Sequence, residues 1–113
     1  MKQLTYKITQ GYSESVTERT DVTGTFLFDL YGFQWAAHQE PPLGCWIVSE
    51  VSTGHELQSG KFFKSMEEAR LWAWNYLIRK GDILTRYYVE HAKMKIQQYE
   101  AIRNNTTAPI QGQ

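Results

Sequence analysis

Residues 45–80 read CWIVSEVSTGHELQSGKFFKSMEEARLWAWNYLIRK, and their reading decides the fold. Trp46-Ile47-Val48-Ser49-Glu50-Val51 is rich in β-branched and aromatic residues, which suit a pleated surface. Ile47 and Val51 fall on one face and Trp46 and Val48 on the other, the pattern of a central strand. Ser52-Thr53-Gly54 supplies turn chemistry. A return strand is expected from His55 to Phe63, with Gly60 marking a bulge.

The second half of the stretch is a helix with both ends signed. Ser65 followed three residues later by Glu68 is a capping box. Glu67 and Glu68 complement the positive end of the helix dipole, Arg79 and Lys80 the negative end, and Gly81 suits the residue after the C-cap. Ala69, Trp72, Ala73, Tyr76 and Leu77 form one apolar stripe; Leu71, Trp74 and Ile78 form a second. One stripe is enough to seat a helix on a sheet. The second implies another cover, either the C-terminal helix or a second copy of the chain.

Working outward, Leu4–Thr9 alternates apolar and polar as a half-buried strand does, and Gly11 begins a turn. Ser13–Asp21 (SESVTERTD) reads as a solvated loop, the alternative being a long hairpin arm. Thr25–Tyr31 is strongly β-prone, Gly32 breaks it, and Phe33–His38 reads as a further strand ending near Glu40. Pro41, Pro42 and Gly44 mark a loop. After Gly81, Asp82 is placed to cap a second helix over 83–103, with Leu84, Tyr88, Val89, Ala92, Ile96 and Tyr99 as its stripe. Residues 104–113 read as a polar, disordered tail. The expected architecture is therefore α+β: an antiparallel sheet of four to five strands followed by two C-terminal helices, the second long, in a single domain over 1–103.

A chain of 113 residues has room for one core. Its four Trp, seven Tyr and five Phe argue against disorder over most of its length. Lone Cys45 precludes an internal disulfide and a multi-cysteine zinc site, and fits a reducing compartment. The first residues, MKQLTYKITQ, lack the apolar run of a signal peptide, and no stretch is long enough to span a membrane, so a cytoplasmic protein without a membrane partner is expected. The net charge is zero, which disfavours strong non-specific binding to nucleic acid. Residues 1–60 carry three Lys/Arg against seven Asp/Glu, a net of −4; residues 61–113 carry nine against five, a net of +4.

Chemistry-bearing patterns are sparse. His38, His55 and His91 are widely separated, and none has a second ligand at helical spacing, so no metal and no cofactor are expected. Cys45 with His38 is the one nucleophile–base pairing to consider, and a structural thiol beside an apolar strand is the simpler account. The chain has no G-x-S-x-G, no P-loop and no dinucleotide fingerprint. A non-catalytic protein is expected.

The hairpin–helix stretch resembles the arm-type, AP2-like DNA-binding modules of phage integrases, which pair a Trp-led hairpin with a "G-F-x-S/T-x-E-E-A" helix entry, here Gly60–Ala69. Those modules carry several Lys/Arg on the hairpin. This one has Glu50, His55 and Glu56, with only Lys61 and Lys64. Beside Lys61 and Lys64, phosphate contacts would instead come from the helix residues Arg70, Arg79, Lys80, Arg86, Lys93 and Lys95, an ordinary solvated basic face being the competing account. A broader resemblance is to small phage and plasmid proteins sharing a "G-x-x-x-A-x-H" strand (Gly32–His38), a "W-x-V-S-E-x-S-T-G" hairpin (Trp46–Gly54) and an "S-x-E-E-A" helix start (Ser65–Ala69). It implies a mobile-element protein that binds and inhibits a host protein, such as a CRISPR defence nuclease, in the manner of anti-CRISPR proteins. The residues expected at that interface, and at a homodimer contact if one forms, are Leu71, Trp72, Trp74, Ile78, Tyr87, Tyr88 and Tyr99; burial in the chain's own core is the competing account for each. The DNA- or RNA-binding module is the alternative function.

Overall fold

The computed structural model describes residues 2–12, 15–41, 44–58 and 60–107, with the backbone alone at 11, 12, 15, 17 and 105–107. Four strands, β1 (Gln3–Tyr12), β2 (Ser15–Leu30), β3 (Phe33–Glu40) and β4 (Cys45–Glu50), precede two helices, α1 (Met66–Lys80) and α2 (Asp82–Thr107). The strands form one antiparallel meander in the order β1-β2-β3-β4. The fold is α+β, with the second helix the longer.

The polar stretch 15–21 belongs to β2, which pairs with β1 from Gln3↔Thr25 out to Tyr12↔Ser15. The solvated-loop reading is thereby replaced by the hairpin arm. Ion pairing and hydroxyl bonding across the arm, such as Lys7 Nζ to Asp21 Oδ1 at 3.0 Å, take the place of an apolar pattern. Residues 13 and 14 lie outside the described set. The β2–β3 turn is a two-residue hairpin with positive φ at both Tyr31 (59°) and Gly32 (83°), the mirror-type turn that matches strand twist. Tyr31 accepts this conformation while its hydroxyl donates to the Leu77 carbonyl at 3.2 Å, tying the hairpin tip to α1.

Two expectations are corrected around β4. It is the last strand of the sheet, not a central one. No fifth strand forms over 55–63 among the described residues; only the bridges Trp46↔Phe63 and Ser49↔Glu56 remain. The physical reason is register: seven residues separate Glu56 from Phe63 but only three separate Ser49 from Trp46, so the two bridges cannot belong to one continuous ladder. The segment still covers the edge of β4, with Phe63 and Trp46 exchanging both backbone bonds (2.7 and 3.0 Å) and Leu57 N–H donating to the Val48 carbonyl at 2.9 Å.

Both faces of β4 are buried because the sheet curls. The turn after β4 returns to β1, where Thr9 N–H donates to the Gly54 carbonyl at 3.0 Å. Gly54 sits at φ 68°, and a Cβ there would fall onto the Lys7 carbonyl, so only glycine fits. Tyr6, Ile8 and Ala36 pack inside the curl with Leu4, Val22 and Val51. The opposite face carries the main core: Leu27, Trp35, Ala37 and Val48 against Ala69, Ala73 and Leu77 of α1 and Val89 of α2. The helix α1 begins as its sequence indicates, with the Ser65 hydroxyl accepting from Glu68 N–H at 3.2 Å. The second helix starts at Asp82 and runs to Thr107, so residues 104–107 extend it rather than opening a tail. Residues 108–113 lie outside the described set.

Candidate protein-docking face on the first helix

The two stripes of α1 have opposite fates. Ala69 and Ala73 are fully buried and Leu77 is 1 % exposed, because two alanines let the helix backbone approach Trp35 and Val48 closely. The second stripe remains in water: Leu71 is 65 % exposed, Ile78 49 % and Trp74 41 %. These three lie at i, i+3 and i+7, one line on the outward side of the helix. The C-terminal helix does not cover them. Leaving a large apolar side chain largely in water forgoes about 1–2 kcal/mol of burial, so three in one line are surplus to folding.

Trp74 is held even so. Its ring meets Phe28 edge-to-face, with centroids 5.2 Å apart. Beside it a groove of 520 Å³ is lined by Ser65, Glu67, Glu68, Arg70, Leu71 and Trp74. The groove thus has an apolar wall, an acidic rim at the helix start and one cation, Arg70, bonded to Glu67 Oε1 at 2.9 Å.

The remaining expected interface residues scatter. Trp72 belongs to the fold, packed on Phe63 (5.1 Å) and stacked on Tyr76 (4.9 Å). Tyr88 turns inward against the core, and its hydroxyl donates to the Glu56 carbonyl. Burial, and then the charges of Glu50 and Glu56 and the nearby Tyr76, raise its pKa, so it stays protonated. Tyr87 is 71 % exposed and stacks on His91, but it lies on α2, away from the α1 stripe. Tyr99 is half-buried near the other end of α2.

The cations expected to contact phosphate do not form one surface. Arg70, Arg86 and Lys93 are ion-paired with Glu67, Asp82 and Glu90 along their own helices. Lys61 lies over the Phe63 and Trp72 rings, and Lys80 over Tyr76. Lys64 and Arg79 are exposed, and Lys95 is half-buried. Arg70 is on the Trp74 side of α1, whereas Lys61 and Lys80 are on the Trp72–Tyr76 side.

Cys45 and His38 lie on adjacent strands two register positions apart, His38 opposite Ile47. Cys45 pairs across the strands with Glu40, whose carboxylate lies 3.0 Å from His38 Nε2. The carboxylate, not the thiol, therefore occupies the imidazole's near side, and no base is shown on Cys45. Among the described residues no group of three or more His, Cys, Asp or Glu is arranged to hold a metal, and no helix is long and apolar enough to cross a membrane.

Glu50, a residue that composition and spacing do not mark as functional, is densely bonded. Its carboxylate is 1 % exposed and accepts from Ser52 N–H (2.7 Å), Ser52 Oγ (2.7 Å), Thr53 N–H (2.9 Å) and Thr53 Oγ1 (2.7 Å). The signal was present as E-x-S-T, an acid followed by two hydroxyl residues able to wrap it. This carboxylate shapes the turn that closes the curl onto β1. Next to it, His55 is driven toward its neutral form mainly by burial, and also by the charges of Lys95 and Arg19; a hydrogen bond to the Thr53 backbone and the charge of Glu50 oppose this. Comparison with known proteins finds no family model, no curated protein and no solved structure that matches the chain.

Proposed function

We propose that this is a non-catalytic, cytoplasmic binding protein that docks a protein partner on the outward stripe of α1. The observation that carries this reading is the line Leu71–Trp74–Ile78, exposed on a helix whose other stripe already seats it on the sheet. A Trp anchored by an edge contact and bordered by a groove is the kind of group that dominates binding energy at interfaces. The likeness to small phage and plasmid proteins supports a host protein as partner, a CRISPR-type defence nuclease among them, with inhibition as the outcome. The nucleic-acid alternative has less support, since its expected cations are divided between faces, Arg70 beside Trp74 and Lys61 and Lys80 beside Trp72 and Tyr76.

The test is affinity capture from nuclease-treated bacterial lysate, followed by rebinding of the captured protein in purified form. Wild type is compared with Leu71→Asp and Trp74→Asp variants shown to be folded. A purified partner that binds wild type and not these variants supports the reading. Capture that disappears with nuclease, or that both variants retain, overturns it.

A further inference from the structure

Away from α1, three cations from three different elements converge at the far end of α2. Lys7 of β1, Arg19 of β2, and Tyr99, Glu100, Arg103 and Asn104 of α2 line a pocket of 420 Å³. Arg19 is the fixed member. Its Nε donates to Thr9 Oγ1 at 3.0 Å and its Nη2 to the Thr53 carbonyl at 3.3 Å. Thr9 Oγ1 donates to that same carbonyl at 2.5 Å, and Thr53 is itself held by Glu50. The buried carboxylate, the closing turn and the Arg19 guanidinium thus form one chain of bonds. It aims a half-buried arginine along the groove under α2.

Arg103 approaches from the helix with Nη1 on the Tyr99 hydroxyl at 3.2 Å, and Lys7 approaches from the strand. The Asp21 partner of Lys7 is 66 % exposed, and an exposed ion pair of this kind is weak enough for a multiply charged anion to displace. Among the described residues the lining carries three cations and one carboxylate, a net of +2, or +1 with Asp21 included. The positive field reaches beyond the lining, for Arg19 acts with Lys95 on His55.

We propose that this pocket binds a phosphoryl group, gripped by Arg19, Arg103 and Lys7. Guanidinium forks suit phosphate oxygens, and one pre-positioned arginine lowers the ordering cost of binding. The same chemistry is offered by free pyrophosphate and by the phosphodiester of a nucleic acid. The site is separate from the α1 face and does not depend on it.

The experiment is calorimetric titration of the full chain at low ionic strength, first with inorganic pyrophosphate and then with a short single-stranded oligonucleotide. Wild type is compared with Arg19→Gln, Arg103→Gln and, as a control on an exposed cation outside the pocket, Lys2→Gln. The expected result is saturable binding of pyrophosphate at one site, weakened roughly tenfold by Arg103→Gln, as for loss of a charge-assisted contact, and unchanged by Lys2→Gln. Arg19 also supports the closing turn, so its variant is read only if it unfolds at the wild-type urea concentration; Arg103 is exposed and free of that complication. Tighter oligonucleotide binding that pyrophosphate competes away and Arg103→Gln weakens would identify a phosphodiester as the source. Oligonucleotide binding that is absent would identify a small phosphate. No saturable pyrophosphate binding, or equal loss in Arg103→Gln and Lys2→Gln, overturns the proposal.

Discussion

The two sides of α1 are built from opposite materials. The side facing the sheet uses Ala69, Ala73 and Leu77; the side facing water displays Leu71, Trp74 and Ile78. Total hydrophobicity would have put the larger residues inside. Close approach decides otherwise, because a helix seats on Trp35 and Val48 only where its own side chains are small. The large outward residues are thus spare apolar surface, left open on the water side of the helix.

The sharpest way to break this comparison is to charge the inner side. Ala73→Asp should destabilise the fold by about 4 kcal/mol or more, since it buries a carboxylate without a partner; urea unfolding followed by tryptophan fluorescence measures it. A next-largest effect is expected at the closing turn. Glu50→Gln keeps the shape but loses the charge that four donors converge on, at a cost of about 2–3 kcal/mol. Tyr88→Phe removes one hydroxyl bond and should cost about 1 kcal/mol. On the outer side, Leu71→Gln should change stability by less than about 0.5 kcal/mol. A cost there comparable to Ala73→Asp would mean that both sides belong to the core.

His55 sharpens the contrast through pH. Its folded pKa is lowered, so between that value and the unfolded value near 6.5 the unfolded chain binds more protons than the folded one. Its contribution to stability is complete above the unfolded pKa and is lost as pH falls through that window. The melting temperature of wild type should therefore drop more than that of His55→Gln between pH 7 and pH 5. Parallel curves would remove His55 from the account.

What was legible in the sequence was local. The Ser65 cap, the stripe of Ala69, Ala73 and Leu77, the Gly81 break and the strands around Phe28 and Trp35 all follow from residues close in the chain. What was not legible depends on distant partners. The central-strand pattern of β4 is satisfied by curling, through Gly54 against Lys7, rather than by a fifth strand. The arm over 15–21 reads as a loop until β1 is laid beside it. At the candidate sites, Leu71, Trp74 and Ile78 could be named in advance. Trp72 and Tyr88 could not be removed, because the contacts that claim them come from Phe63 and Glu56. Arg19 was invisible for the same reason: its partners Thr9 and Thr53 are 10 and 34 residues away.

The most direct test of the central claim sets binding and stability side by side in one variant, Leu71→Asp/Ile78→Asp. Its urea midpoint and its retention of a purified, nuclease-resistant partner are measured against wild type. The account expects a midpoint within about 1 kcal/mol of wild type in stability and no retained partner. A variant that keeps the partner, or one that unfolds as Ala73→Asp does, would contradict it.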